Sequence, residues 1–312
     1  MTTGNRRIAA GDMEWPTQLG DLDSEPSGLW VSGPGNLRLL ALRSVAIVGS
    51  RAATPYGLRT AGEIAGRLAD AGWVIFSGAA FGIDAAAHRG ALAVGGPTVA
   101  VLAGGVDVAS PSSHEPLIAR IRDSGAVVSE RPLGETPRAH SFLVRNRLIA
   151  ALCRSVIVVE AGRRSGALNT ARQAEELGRQ VLAIPGPVTS SASEGTHELI
   201  KGRRAELVTC AQDVLELIEP LGSVSPSAEA SPESSQPELW TDRRVGNAPE
   251  DLSAVKAGLT GFPVTVDDLA ATSSLPVAKV MEILMELRRT REVEQTFEGW
   301  RAPSWQATRR GP

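Results

Sequence analysis

Three observations predict an α/β protein built on a doubly wound parallel sheet. First, six short apolar runs show no polar alternation: Val45-Ala46-Ile47-Val48, Trp73-Val74-Ile75-Phe76, Thr98-Val99-Ala100-Val101-Leu102, Ala126-Val127-Val128, Val156-Ile157-Val158-Val159 and Val181-Leu182-Ala183-Ile184. Continuous runs are expected of strands whose two faces are both covered. Second, helix-like stretches separate the runs, at about residues 57–71, 83–94, 114–123, 142–153 and 166–178. Third, turns of small residues follow several runs and open the next helix, as in a βαβ chain. The sum is a Rossmann-like sheet over residues 43–218.

The rest of the chain divides around that core. Residues 1–42, with Glu14-Trp15-Pro16, Leu19, Leu22 and Leu29-Trp30-Val31, are too short for a domain and are expected to pack on the core as a lead-in. Residues 219–250 are rich in Ser and Pro and read as a flexible linker. Residues 251–305 form a small terminal domain, and residues 306–312 a tail.

Composition sets the class. The 312 residues are 42% hydrophobic and 21% charged, enough for a core and against a fibrous or wholly disordered chain. No apolar run approaches the roughly 20 residues that span a bilayer, and residues 1–10 lack the apolar core of a signal peptide. A cytoplasmic protein with no membrane partner is expected. Cys153 and Cys210 match neither a metal nor a redox spacing, and His88, His114, His140 and His197 are scattered. No metal site and no cofactor are predicted.

A net charge of −3 argues at first against nucleic acid, but charge is a sum over zones. Residues 1–42 hold 3 basic and 5 acidic groups, residues 43–218 hold 19 and 16, and residues 219–312 hold 10 and 14. The negative excess therefore belongs to the two ends. Within the core, Arg138 to Arg172 contains seven arginines and one acid, Glu160. Such a window suits contact with a phosphate backbone, with Phe142 as a face for a base.

In an open parallel sheet the ligand lies beyond the carboxyl ends of the strands. Three turns there are anion-friendly: Gly49-Ser50-Arg51, Ser77-Gly78-Ala79-Ala80-Phe81-Gly82-Ile83-Asp84, and Arg163-Arg164-Ser165-Gly166-Ala167. Glycine admits a phosphate to the backbone, and a helix N-terminus offers free N–H groups. Together they suggest a ligand with several phosphates. Ordinary nucleotide enzymes fit less well. The first turn is not G-x-G-x-x-G, Ser77 stands where an acid would hold a ribose, and no P-loop is present. Asp84, opening a helix, reads as a cap or turn-orienting group, and no catalytic nucleophile stands out.

These motifs, with Phe142-Leu143-Val144-Arg145-Asn146-Arg147, Glu160-Ala161, Ser165 to Ala171, Pro185-Gly186 and Gly195-Thr196-His197, resemble the DprA/Smf family of DNA-processing proteins over residues 12–218. The resemblance implies a protein that is not an enzyme. It would bind and protect single-stranded DNA, load the RecA recombinase on it during natural transformation and recombination, and form a homodimer through the Rossmann-like domain. By position, Arg51, Arg145 and Arg147 would grip phosphates, Asn146 would orient its turn, and Phe142 would contact a base. Gly49, Ser50, Ser77, Gly78, Ser165 and Gly166 would shape the pocket. The sequence departs from the family pattern at Ala79, often glycine, at Phe81, arginine in some members, and at Ser141, often basic. The helical N-terminal domain of many relatives is expected to be missing ahead of Glu14-Trp15-Pro16, whether by true absence or by a truncated start.

The terminal domain reads as helix, turn, helix and hairpin and resembles the family's winged-helix module, with Val277, Val280, Leu284 and Leu287 on one helix face. Lys279 shares that helix with Glu282 and Glu286, which favours an accessory or protein-contact role over reading a DNA groove. Two other classes remain open. One is a nucleotide-processing enzyme of the phosphoribohydrolase type, although Pro185-Gly186-Pro187 does not supply its glycine-rich turn. The other is a winged-helix transcription regulator that senses a nucleotide.

Overall fold

In the computed structural model the structure describes residues 4–219, 249–259, 264–290, 292–296 and 299–302. Most of the linker assigned to residues 219–250 and all of the tail at 306–312 lie outside them. The described residues fall into two compact units, divided between Ala228 and Glu229.

The first unit begins with β1 (Arg6–Ile8), β2 (Leu29–Ser32) and α1 (Leu37–Leu42), followed by β3 (Ser44–Val48), α2 (Pro55–Asp70), β4 (Val74–Ser77), α3 (Ile83–Ala93) and β5 (Thr98–Val101). It continues through α4 (Glu115–Ser124), β6 (Ala126–Ser129), α5 (Ala139–Leu152), β7 (Ser155–Val158), α6 (Gly166–Glu176) and β8 (Gln180–Ala183) to α7 (Glu194–Lys201), β9 (Glu206–Leu207) and α8 (Ala211–Ile218). The nine strands form one sheet in the order β1-β2-β6-β5-β4-β3-β7-β8-β9. From β6 to β9 every pairing is parallel, whereas β1 and β2 run antiparallel at the edge.

The Rossmann-like reading thus holds, but the sheet begins before residue 43. The lead-in does more than pack on the core: it extends the sheet by two strands, Val31 pairing opposite Val128. Leu29 and Val31 face the core, while β1 and β2 are too short and too mixed in composition for period alone to reveal them.

The continuous apolar runs serve both faces. Along β3, Val45 and Ile47 pack towards α2, α3 and α8, while Ala46 and Val48 pack towards α5 and α6. Helix starts are fixed locally. Thr54 caps α2, its Oγ1 accepting from Gly57 N at 3.2 Å, and Pro55 occupies the first helical position, where its missing N–H costs nothing.

The second unit contains α9 (Pro249–Gly258), α10 (Val266–Ser273), α11 (Val277–Arg289) and a hairpin of β10 (Glu294–Thr296) with β11 (Gly299–Arg301). Val255, Leu269, Val280, Leu284, Leu287, Val293 and Trp300 are in its core, so of the apolar face read from the sequence of α11, Val280, Leu284 and Leu287 are buried, while Val277, at the first position of the helix, is exposed. Among the described residues no helix is long and apolar enough to cross a membrane.

Candidate nucleic-acid interface

β3 and β7 are neighbours, with Val48 opposite Val158, and chain order reverses between them: β4 to β6 lie on one side, β8 and β9 on the other. A reversal of this kind leaves a crevice beyond the carboxyl ends of the two strands. A cavity of about 990 Å3 opens there. Its walls come from the turn after β3 (Gly49, Ser50, Arg51), from α5 (Phe142, Arg145, Asn146) and from the loop into α6 (Gly162 to Gly166).

The first wall is tied down by its backbone. Ser50 N donates to Glu160 O at 2.7 Å, and Ile83 N donates to Ser50 O at 3.2 Å. Gly82, at φ +76°, passes so close to the Ser50 and Arg51 carbonyls that a Cβ there would overlap them. Glu160 is buried, and its carboxylate accepts from Thr54 N at 2.9 Å and from Thr54 Oγ1, which closes the loop carrying Arg51. Arg51 is exposed, its Cζ 4.8 Å from the centroid of the Phe142 ring, and no carboxylate pairs with it among the described residues.

The floor is an arginine held in an unusual degree of burial. Arg145, 6% exposed, donates from Nη1 to Val101 O at 2.5 Å and from Nε to Asn146 Oδ1 at 3.2 Å. Asn146 in turn donates to Gly166 O at 3.3 Å and so joins α5 to the third turn. Burial draws Arg145 down to about 10, with the nearby Asp84 charge opposing and Arg51 reinforcing, so it stays cationic at neutral pH. Asp84 moves the other way: burial raises its pKa, against the pull of Arg145 and of the Ala80 and Gly78 N–H groups.

On the third wall Ser165 caps α6, its Oγ accepting from Ala167 N at 3.3 Å, and Gly166 faces open space. Arg163 is occupied by Glu194 and Glu198 at 3.3 and 3.4 Å, whereas Arg164 has no ion pair among the described residues. Four arginines and one aspartate line the cavity. With Arg163 set aside, the walls still carry an excess of positive charge that only an anion can balance.

Of the residues singled out in the sequence, Gly49, Ser50, Arg51, Phe142, Arg145, Asn146, Ser165 and Gly166 meet at this one cavity. Ser77 and Gly78 lie behind it. The Ser77 hydroxyl donates to Ile47 O at 2.6 Å inside the sheet, and Gly78 lies against the Arg145 guanidinium, leaving no room for a Cβ. Arg147 needs a correction. One helical step past Asn146, it points away from the cavity and donates to both Glu130 carboxylate oxygens at 2.8 and 2.7 Å and to Ser24 O at 2.7 Å. Its guanidinium ties the lead-in to the end of β6. Asp84, read from the sequence as a turn-orienting group, accepts from Gly78 N at 3.1 Å and Ala80 N at 3.3 Å, and it also lines the floor. Arg164 was visible only as half of an arginine pair.

A family model for DNA recombination-mediator protein A matches residues 6–219, more than half of the chain. The chain belongs to this family. It is 42% identical over 293 residues to a DNA processing protein DprA of Mycobacterium tuberculosis, covering 90% of this chain and 72% of that one. Among solved structures, DprA of Streptococcus pneumoniae superposes with a TM-score of 0.66 at 41% identity, covering 70% of this chain and 76% of that one. DNA processing protein A of Helicobacter pylori, solved for its single-stranded DNA binding mode, gives a TM-score of 0.62 at 29% identity, covering 70% of this chain and 97% of that one.

The departures from the DprA pattern have local accommodations. Ala79 sits at φ +54°, and its carbonyl is bonded to His114 Nδ1 at 2.9 Å. Phe81, half exposed, meets the His114 ring edge-on with centroids 4.7 Å apart. Ser141 is buried and its Oγ accepts from Arg138 N at 3.3 Å, so no side chain reaches the cavity from that position.

Proposed function

We propose that this recombination mediator binds single-stranded DNA in the cavity at the β3/β7 reversal and delivers it to a RecA-type recombinase. The observation that carries the reading is the Arg51 and Phe142 pair, an exposed cation with no carboxylate partner among the described residues, lying on an aromatic ring at a cationic cavity. Bases stack on arginine planes and aromatic faces without regard to sequence, while phosphates are held by arginine and by backbone N–H groups. Arg51 and Arg145 then take phosphate charge, Phe142 supports a base, and Gly49, Ser50, Ser165 and Gly166 let the backbone approach. Asn146 is a positioning residue, since both ends of its amide are spent on Arg145 and Gly166. Ser77, Gly78 and Arg147 support the walls rather than touch the strand.

Family membership supports the mediator role, and the Helicobacter relative supports single strands as the ligand. The same membership supports RecA as partner and a homodimer, which would set two cavities along one strand. The three helices and hairpin of the second unit fit a winged-helix module. Val277 and Met281, one turn apart and exposed on α11, suit contact with protein better than with a phosphate backbone.

The test is a titration of labelled single-stranded and duplex oligonucleotides over a salt series. Single strands should bind more tightly, with an affinity that falls steeply as salt rises, and Arg51→Ala should lower the affinity by about tenfold or more. An Arg51→Ala protein that is folded and binds as well as the native chain would reject the cavity as the site.

A further inference from the structure

Resting on that reading of the cavity, we propose that it also takes a single free nucleoside 5′-phosphate, which competes with the DNA strand for the same walls. Three observations point to a whole nucleotide rather than to a length of backbone alone. The volume, about 990 Å3, lies at the upper end of the roughly 300–1,000 Å3 that encloses small ligands. That is room for a base and a sugar as well as for phosphates.

The second observation is the chemistry of the floor. Arg145 is 6% exposed, yet its bonds to Val101 and Asn146 use Nη1 and Nε, and no acceptor among the described residues takes Nη2. Beside it on the floor stands Asp84. An open guanidinium donor beside a carboxylate carries less net positive charge than the outer arginines, and besides a phosphate it matches a neutral group that both donates and accepts, such as a base edge or a sugar hydroxyl.

The third is where the free positive charge lies. Arg164 and the capped start of α6 stand on the wall opposite, with Gly166 open to solvent. This wall suits the phosphates, while the guanidinium plane of Arg51, backed by Phe142, offers the nucleoside a stacking face. One molecule with a polar neutral end, a flat middle and a charged end fits all three walls together.

The experiment follows a labelled oligothymidylate by fluorescence anisotropy on the full chain, without magnesium and at constant ionic strength. Thymidine triphosphate, inorganic tripolyphosphate and thymidine are added in turn. Thymidine triphosphate is expected to displace the strand at a concentration about tenfold below that of tripolyphosphate, and thymidine to displace none. Phe142→Ala should erase the difference between the two anions, and Arg164→Ala should weaken thymidine triphosphate more than the strand. Equal displacement by tripolyphosphate overturns the inference, because charge alone then explains it. So does a strand that stays bound at saturating thymidine triphosphate, a result that leaves DNA binding itself intact. If the strand does not bind at all, DNA binding in this cavity falls, and calorimetry with thymidine triphosphate on the same protein decides the nucleotide site directly: heat of binding upholds it, none overturns it.

Discussion

Three glycine-rich turns at the same sheet edge meet two opposite fates. The turn after β3 and the loop into α6 stay open, with Arg51 and Arg164 without an ion pair among the described residues and Gly166 facing space. The turn after β4, with the same kind of residues, is sealed. Asp84 folds back to take the Gly78 and Ala80 N–H groups, and the Arg145 guanidinium lies across Gly78. Small residues before a helix therefore make an anion site only when no carboxylate of the helix they open has already claimed the N–H groups of the turn. An acid in the first turn of the helix is the feature that separates scaffold from site.

The sealed side must also stay uncharged except for its one matched pair, and this predicts the largest effect. His88 on α3 is fully buried, its Nδ1 bonded to Thr98 Oγ1 at 2.8 Å. That hydroxyl already donates to Ile75 O, so the ring is the neutral tautomer with the proton on Nδ1. Burial first, and the Arg145 charge second, lower its pKa to about 3. A base with a lowered folded pKa contributes stability that is present above its unfolded value, near 6.5, and is lost as pH falls towards 3. The advantage of the native chain over His88→Asn should shrink by about 3 kcal/mol between pH 7 and pH 4 in urea unfolding. A constant difference would mean that the ring is not held neutral.

Next in size is a pair of alanines that tests the comparison itself. Gly78→Ala drives a methyl into the Arg145 guanidinium and should cost roughly 2–3 kcal/mol of stability, with strand affinity falling because the floor moves. Gly166→Ala meets nothing within 4 Å and should leave stability within about 0.5 kcal/mol, while the added methyl obstructs the approach to α6 and lowers affinity. Thermal unfolding and anisotropy on the two proteins separate the cases. Equal losses of stability would dissolve the distinction between sealed and open turns.

A smaller contrast lies between two arginines that the sequence treats alike. Arg147→Ala removes a two-pronged pair with Glu130 and should cost about 1–2 kcal/mol while changing strand affinity by less than about twofold. Arg51→Ala should do the reverse. The parallel core, its strand-to-helix turns and the gathering of Gly49, Ser50, Arg51, Ser165 and Gly166 at one sheet edge were legible because continuous apolar runs and glycine turns are local signals. What period could not show was direction. Arg145 and Arg147 are two residues apart on one helix, so about 200° separates them, and only packing decides which faces the cavity. The antiparallel lead-in strands and the two-residue β9 were likewise hidden, since segments of two to four residues carry too little pattern.

The smallest expected effect is at Ala79, where the sealed turn departs from glycine. Its φ of +54° is a left-handed conformation that costs a residue with a Cβ about 1–2 kcal/mol, a strain that Ala79→Gly would release. Against this, the methyl is fully buried beside Ala85, Leu102 and Ile118, and removing it forfeits about 0.8 kcal/mol. The greater freedom of glycine in the unfolded chain takes away roughly another 0.4–1 kcal/mol. The terms cancel to within about 1 kcal/mol, so the variant should unfold near the native denaturant midpoint and bind DNA unchanged. A gain of about 2 kcal/mol would show that the turn is strained against its backbone. A loss of that size would show that the methyl, rather than Asp84, holds the turn closed.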